Sequence, residues 1–409
     1  LEKAPWQAWW ERMNRRGTRS TPAVIWWLTG DEKAAEKARA DLLERPIWRH
    51  TPQGYLEPSS HRFADYVVAY DVLAAWEGLS EEDHRVIRKR IADEADHYYG
   101  VFEGVRGGAN YGNQRTLAAS ALGMAALTLC EHRDSPIGPA AWLERALREI
   151  GCKENLWFFR PGGHFVEGAG YTQYMNVQFV PFTIALERAT GTYLFEAPRF
   201  REWLTFAAYQ MHANGELLPW GTCESGARPG YFGLLSNERY GRDLAPLFNL
   251  VFNLPSEPTL HTYHLHIALA QYEPDIEGTR PSASRAFHAS QTAVLRENWG
   301  HASVAVWFAG KDGTWPRRRR YNTYSQGDAG HFVLIAWDEV LAADSGYDHW
   351  KSRDYFGAEF HNVLLIDGKG PEQNTSGEMS GVQTEGPVRR ARVVSAYQGC
   401  TVRRTLALV

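Results

Sequence analysis

The first 285 or so residues place their apolar positions at helical spacing. The clearest segment is 80–102, where Ser80 and Asp83 have the spacing of a capping box and the apolar residues that follow recur every three to four positions. Segment 113–130 is apolar almost throughout, which predicts a helix buried on most of its sides. Further helices are predicted over 59–78, 139–150, 172–190, 197–212, 240–252 and 260–272.

The pattern changes after about residue 286, beyond a boundary segment that begins at Pro281. Short β-branched and aromatic runs, separated by Gly, Asp and Asn, predict antiparallel strands over 291–297, 302–309, 331–337, 360–366 and 389–396. We therefore expect an α+β chain with a helical domain over 1–285 and an antiparallel β-sandwich over 286–409. The final run, TVRRTLALV, has the pattern of a strand, so we expect the second domain to be incomplete at its C-terminus.

Composition narrows the class of protein. The formal net charge of -4 argues against a surface devoted to nucleic acid, and no run approaches the 18 apolar residues of a membrane span. The four cysteines show no CxxC spacing, which excludes a zinc ribbon. The 16 Trp, 19 Tyr and 18 Phe residues fit a large core, and some of these side chains are candidates for stacking on sugar rings.

The segment 157–176 is the richest in groups that carry chemistry. Arg160, His164, Glu167, Tyr171 and Tyr174 crowd a glycine-rich loop and the helix that follows it. The two tyrosines are three residues apart and so share a helical face. A packed turn with aromatic anchors and a ligand-binding loop both explain this pattern.

Two further segments offer polar groups. Asn113, Gln114 and Arg115 stand at a predicted helix start, where free backbone N–H groups attract anions, although Asn113 is equally suited to cap the helix. Trp220 and Glu224 belong to a loop that is able to border a cleft.

The β-region contains a set of candidate metal ligands. Asp328, His331, Asp344 and His361 have suitable side chains, but their spacing is loose, and such groups commonly satisfy turns. Upstream, the run 317–320 consists of four arginines, which suit either a solvated loop or contact with carboxylates or sulfates of a polyanion.

Three ordered motifs, together with GGHFVEGAGYTQY, resemble the heparinase II/III-like polysaccharide lyases. They are Asp-x-Gly-x-Phe from Asp328, Asp-x-Gly-Tyr from Asp344, and His-Asn from His361 before VLLIDG. The resemblance runs from about residue 59 to the end. It implies an incomplete (α/α) toroid followed by an antiparallel β-sandwich, with a cleft between them. It also implies β-elimination on uronic-acid polysaccharides such as heparan sulfate or alginate.

The resemblance also implies roles for individual residues. Tyr171 takes the place of the catalytic tyrosine, with Tyr174 as the alternative. Asn113 takes the place of the asparagine that neutralises the substrate carboxylate, and Gln114 stands where many members have His. The residues expected to bind substrate are Arg115, Arg160, His164, Tyr174, Trp220 and Glu224.

By the same resemblance, Asp344 and His361 correspond to ligands of a metal found in some members. A third ligand, a His in the family, is Gln326 here. Because an amide oxygen is a poorer zinc ligand than imidazole, we expect weaker zinc binding. Any divalent metal, zinc or calcium, is expected to be structural, and no organic cofactor is expected.

Two other functions compete with a lyase. A glycoside hydrolase would need two carboxylates, for which Glu167 and Glu224 are the best pair. A non-catalytic polysaccharide-binding protein would bind a uronate polymer without cleaving it. In each case the expected partner is an anionic polysaccharide rather than nucleic acid or membrane. The cysteines leave the compartment open, and a periplasmic or secreted location is favoured over the cytoplasm.

Overall fold

The computed structural model describes most of the chain. It covers residues 6–15, 17–44, 57–104, 112–152, 156, 158–165, 167–212, 214–221, 223, 281–311, 326–346, 356–373, 375–397 and 399–409. The helices predicted over 240–252 and 260–272, the arginine run 317–320 and Glu224 lie outside the described residues.

The chain divides into two compact units that interleave along the sequence. The first comprises residues 1–157, 174–194 and 260–272, and the second comprises 158–173, 195–259 and 273–409. In the described ranges, the change from helices to strands falls at Arg285, as the sequence pattern indicates. The division into units does not follow that change, because residues 158–173 and 195–259 group with the strands.

Helices build the first unit. They are α1 (Trp6–Arg15), α2 (Thr21–Thr29), α3 (Glu32–Glu44), α4 (Glu57–Leu73), α5 (Glu81–Gly104), α6 (Asn113–Thr128), α7 (Pro139–Gly151) and, from residue 174 onward, α8 (Gly168–Thr190). Helix α6 packs against both α4 and α7 and is buried along nearly its whole length, as its apolar sequence predicts. At Gly123 the helix has no side chain, which leaves room for the ring of Phe182 from α8.

The start of α5 confirms the capping box. The Asp83 amide donates to Ser80 Oγ at 3.1 Å, and the Ser80 amide donates back to Asp83 Oδ2 at 2.9 Å. Arg39 of α3 donates to both oxygens of the same carboxylate at 2.9 Å, so the cap also joins two helices. The predicted apolar stripe of α5 is buried: Ile87, Ile91, Ala95, Tyr98 and Phe102.

Two antiparallel sheets dominate the second unit, which also contains α9 (Pro198–Tyr209). The first sheet runs in chain order through β1 (Arg285–Phe287), β2 (Thr292–Arg296), β3 (Ala305–Ala309), β4 (His331–Ala336) and β5 (Glu339–Ala342). The second comprises β6 (Gly377–Gln383), β7 (Arg389–Tyr397) and β8 (Cys400–Leu408). The strands predicted near β2, β3, β4 and β7 are confirmed.

The two sheets face each other across a shared apolar core, which makes this part of the unit a β-sandwich. The first sheet contributes Ala293, Leu295, Val306 and Phe308, and the second contributes Met379, Ala391, Val393 and Leu408. None of the described helices is long and apolar enough to cross a membrane.

The strand predicted over 360–366 is wrong. A 3₁₀ turn covers Ala358–Phe360, and bends follow it. The cause lies in Asn362, whose Nδ2 donates to the carbonyls of Phe332 and Ala343 at 2.9 and 2.8 Å. The segment is tied by a side chain to the neighbourhood of β4 and β5 instead of pairing as a strand itself.

Candidate functional site

Two neutral amides open helix α6 in the first unit. Gly112 precedes the helix with φ +60°, a conformation that favours glycine, and it provides no side-chain cap. Asn113 is buried and Gln114 is partly exposed. The first turn of a helix carries partial positive charge from its N–H groups. This helix start therefore combines amide side chains with a potential that favours anions.

The side chain of Arg115, the next residue, is buried and forms an ion pair within the same unit. Its Nε donates to Glu149 Oε2 of α7 at 2.5 Å, and both side chains are buried. Arg145 donates to the other oxygen of Glu149 at 3.2 Å. Arg115 thus holds α6 to α7, and its expected contact with substrate stays a prediction.

Tyr174 has neighbours that the sequence did not suggest. Its ring lies edge-on to that of His61, with centroids 5.0 Å apart. His61 Nδ1 lies 3.0 Å from Gln178 Nε2, and since an amide nitrogen only donates, Nδ1 accepts and the neutral ring carries its proton on Nε2. No sequence signal identified His61 or Gln178, because they are 117 residues apart and each fits an ordinary helical pattern.

The glycine-rich loop before α8 forms a small hairpin in the second unit. Phe159 and Phe165 pair as an antiparallel bridge, and the Arg160 amide donates to the carbonyl of His164 at 2.8 Å. Gly163 turns the chain with φ +89°, and a Cβ there would collide with the carbonyl of Glu202. The turn thus requires glycine and places the predicted substrate ligands Arg160 and His164 opposite each other.

Aromatic rings of the second unit gather around His164. Its ring centroid lies 5.6 Å from that of Phe206 and 6.1 Å from that of Trp220. Trp220 is buried and packs on Trp307 of β3, with centroids 5.5 Å apart. The structure therefore brings together two residues, His164 and Trp220, that the sequence analysis selected from separate segments.

The catalytic tyrosine expected from the resemblance lies at the start of α8. Tyr171 is partly exposed, and Glu167, just before the helix, is buried. Tyr171 and Asn113 belong to different units, so their predicted cooperation stays a prediction. The carboxylate pair of the hydrolase hypothesis also stays untested, because Glu224 lies outside the described residues.

A histidine cluster, formed by His331, Asp344 and His361, occupies the second unit. His361 Nδ1 lies 2.6 Å from Asp344 Oδ2, and His331 Nε2 lies 3.3 Å from the same oxygen. All three side chains are buried. Backbone amides fix the outer atoms: Gly346 donates to Asp344 Oδ1 at 2.8 Å, and Asn362 donates to His331 Nδ1 at 3.1 Å.

The histidine cluster has the composition and spacing of a metal site. One ligand atom from each residue falls within 4.8 Å of the others. The Nε2 atoms of His331 and His361 are buried and have no hydrogen-bond partner in the part of the chain that the structure describes. Two imidazoles and a carboxylate suit zinc. Because His331 Nδ1 accepts an amide hydrogen bond, its neutral ring carries a proton on Nε2 that a metal would displace.

The pKa values of the two histidines of the cluster shift in opposite directions. Burial lowers the pKa of His331 to about 4, so this ring is neutral at physiological pH. Burial acts in the same direction on His361, but the hydrogen bond to Asp344 and the charge of that carboxylate outweigh it and raise the pKa of His361. Asp344 thus favours the protonated form of His361, whereas burial favours the neutral form of His331.

Gln326, the expected third ligand, has a different set of contacts. Its Nε2 donates to the carbonyl of Gly221 at 3.2 Å, and its backbone carbonyl accepts from Lys311 Nζ. Lys311 Nζ also lies 2.7 Å from Asp328 Oδ1. Burial alone would raise the pKa of Asp328, but the nearby cations, Lys311 first, lower it. The residue that the structure groups with Asp344 and His361 is His331, one of the four candidates named from the sequence.

Comparison with known proteins identifies the fold. No protein-family model and no curated protein matches the sequence. Solved structures do match: a heparinase III gene product (14% identity, TM-score 0.65, covering 100% of this chain and 64% of that one) and a second heparinase III (17%, 0.65, 97% and 60%). A heparan sulfate lyase from Pedobacter heparinus also matches (12%, 0.63, 100% and 61%).

The chain spans about three fifths of the length of these proteins. At such low identity the likeness concerns the fold. The helical N-terminal part and the antiparallel sheets agree with it, and the expected toroid and β-sandwich architecture is confirmed. This chain therefore has the fold of the heparinase III-like polysaccharide lyases.

Proposed function

We propose that this protein is a polysaccharide lyase that cleaves uronic-acid-containing polysaccharides by β-elimination. The observation that carries the proposal is the start of α6, where Asn113 and Gln114 stand at an uncapped helix N-terminus in a chain with the heparinase III fold. One fold supports many different reactions, so the polar groups at the start of α6, rather than the fold alone, favour lyase chemistry.

The amides suit the charge that elimination creates. Removing the proton α to a uronate carboxylate places negative charge on that carboxylate in the transition state. Hydrogen bonds from Asn113 and Gln114, directed at the developing charge, lower the barrier. Amide donors do not titrate, so they keep this role at any working pH.

A tyrosine supplies the proton transfers in this proposal. The phenolate form of Tyr171 takes the C5 proton, and the hydroxyl so formed returns a proton to the leaving oxygen. A free tyrosine has a pKa of about 10, so it needs cationic neighbours to act as a base near neutrality. Arg160 and His164, on the hairpin that precedes α8, are the candidates for that role. Tyr174, edge-on to His61, is the alternative tyrosine.

The substrate proposed is an anionic polymer of the heparan sulfate or alginate kind. The matched structures include a heparan sulfate lyase, which supports a glycosaminoglycan. The partly exposed ring of His164, whose centroid lies 6.1 Å from that of the buried Trp220, offers an aromatic surface to a sugar ring. Such polymers occur outside the cytoplasm, in keeping with a periplasmic or secreted enzyme.

A divalent metal is proposed for the histidine cluster. His331, Asp344 and His361 would hold it, and their nitrogen-rich donor set favours zinc over calcium. Its chemistry there would be structural, because it would neutralise Asp344 and join three separate segments of the second unit.

The test is a panel of uronate polysaccharides, followed by near-ultraviolet absorbance and by assay of reducing ends. A lyase produces an unsaturated uronate, so absorbance and reducing ends rise together. Reducing ends without absorbance would identify a hydrolase, and binding without either would identify a binding protein. The Tyr171→Phe variant, which keeps the ring, is the control for contaminating activity.

A further inference from the structure

Arg296, the last residue of β2, is a buried cation that has no carboxylate partner among the described residues. Its side chain is 2% exposed. Nη2 donates to the carbonyl of Met211 at 2.6 Å, and the guanidinium carbon lies 4.1 Å from the centroid of the Trp299 ring. Nη1 is buried and has no hydrogen-bond partner within the described ranges, and none of their carboxylates forms a salt bridge with this guanidinium.

This arrangement leaves a charge uncompensated. Burial lowers the pKa of Arg296 to about 10, so the group still carries its proton at neutral pH. Stacking on Trp299 and one carbonyl bond offset part of the desolvation cost. A buried ion is nonetheless expensive unless a counter-charge accompanies it.

A second unsatisfied donor belongs to the residue next to Met211. His212 is buried, and its Nδ1 accepts the amide hydrogen of Asn214 at 3.0 Å, so the neutral ring carries its proton on Nε2. That Nε2 is buried and has no partner among the described residues. Burial, and to a smaller degree the charge of Arg296, lowers the pKa of His212, and the ring is therefore neutral.

One described acid, Asp338, lies on the other side of this imidazole. Asp338 Oδ1 is 3.8 Å from His212 Nδ1, the atom that accepts from Asn214, while Asp338 Oδ2 is 3.0 Å from His301 Nδ1. Asp338 is therefore directed at the Nδ1 side and at His301, and the Nε2–H remains available.

We propose that a small inorganic anion of chloride size binds beside Arg296 as its counter-ion, with Arg296 Nη1 and His212 Nε2 as hydrogen-bond donors. The positive charge of Arg296, whose guanidinium has no lone pair to offer, excludes a metal cation as the ligand. Their burial excludes a bulky anion such as a polysaccharide sulfate. The site lies within the second unit, and its role is to stabilise the contact of β2 with the segment around Met211.

The test measures thermal unfolding of the full chain in sodium chloride and in sodium gluconate at equal ionic strength. Chloride should raise Tm by about 2–4 °C in a saturable manner, since a ligand that binds only the folded state stabilises it. Arg296→Met should abolish the rise. Arg285→Met is the matched control, because Arg285 is exposed and also lies over an aromatic ring, that of Tyr209.

His212→Phe should raise the chloride concentration of half effect about tenfold, the cost of a hydrogen bond to a charged group. The proposal fails if wild type shows no chloride-specific rise, or if Arg296→Met keeps it. Should Arg296→Met not fold, crystals of the wild type grown in bromide decide. Anomalous density within hydrogen-bond distance of Arg296 supports the site, and a water or a carboxylate of the chain in that position overturns it.

Discussion

The start of α6 and the histidine cluster are both polar and largely buried, but their charged groups are arranged differently. At α6 the one cation, Arg115, is matched by Glu149, and neutral amides remain at the helix end. In the histidine cluster, the carboxylate of Asp344 contacts the imidazoles of His331 and His361. The Nε2 atoms of both rings make no hydrogen bond to the described residues. The first arrangement favours an arriving anion, and the second favours a cation.

The largest expected effect distinguishes a residue that acts in the reaction from one that only stabilises the fold. Tyr171→Phe should lower kcat by about two to four orders of magnitude, the usual range for a positioned proton-transfer group, with little change in KM or Tm. His361→Ala should instead lower Tm and leave kcat of the folded enzyme within a few-fold. Steady-state kinetics and calorimetry on both variants check this. Tyr174→Phe is the control, and if it alone abolishes turnover, the other tyrosine is catalytic.

The next effect concerns the amides of α6. Asn113→Ala should lower kcat by about two to three orders of magnitude, as for removal of one donor to a developing oxyanion. Asn113→Asp should be at least as damaging, because its charge repels the substrate carboxylate. Kinetics on a single uronate polymer measure both. Unchanged kcat in Asn113→Ala would remove the amides from the mechanism.

Variants of Arg115 and Glu149 test whether this ion pair stabilises the fold or contributes to substrate binding. Arg115→Met should cost about 2–3 kcal/mol of unfolding free energy, because it removes one of the two arginines that bind the buried carboxylate of Glu149. The double variant with Glu149→Met should recover part of that loss. Urea unfolding measures the stability, and kcat/KM of the folded fraction should stay near wild type. A selective rise in KM would instead place Arg115 in contact with substrate.

Glu94 is a buried carboxyl of α5, and burial raises its pKa from 4.5 to about 8. Below pH 4.5 the carboxyl is protonated in both folded and unfolded chains. Between pH 4.5 and 8 only the unfolded chain loses the proton, so stability falls as pH rises, by about 2–4 kcal/mol in total. Glu94→Gln should flatten this decline in urea titrations at pH 5 and pH 8. An equal decline in the variant would assign it to another group.

The smallest expected effect is that of metal on stability. Zinc at about 100 times its Kd should stabilise the folded chain by about 2.7 kcal/mol, and a chelator should reverse this. His331→Ala should abolish the response, and Gln326→Ala should keep it. Calorimetry of the wild type and both variants, with and without zinc, measures these responses. Loss of the response only in Gln326→Ala would restore the ligand set expected from the resemblance.

Local signals gave most of the fold. Periodicity placed the described helices from α4 onward but not α1, α2 and α3. The Ser80–Asp83 spacing correctly predicted a capping box, because such features depend on residues a few positions apart. The exception was 360–366, where an apolar run looked like a strand. There Asn362 binds carbonyls 19 and 30 residues away, and no local pattern encodes such bonds.

The site was less accessible to sequence reasoning, for the same physical reason. The sequence presents Arg115 as a substrate ligand, but in the fold it pairs with Glu149, which lies 34 residues away along the chain. His331 was a candidate ligand, but the motif pointed to Gln326, and only the approach of His331 to Asp344 distinguishes the two. The lack of a carboxylate beside Arg296 among the described residues has no sequence signature, because it depends on which side chains the fold brings around a buried group.

Gly163 has a consequence for how this sequence can diverge. Its positive φ and the nearby Glu202 carbonyl each exclude other residues, so two independent constraints act on one codon. In a chain only 12–17% identical to structures of the same fold, most positions have changed freely. Positions fixed by backbone geometry resist such drift whatever the chain binds. In a saturation library Gly163 should therefore tolerate nothing else, even under selection for folding alone.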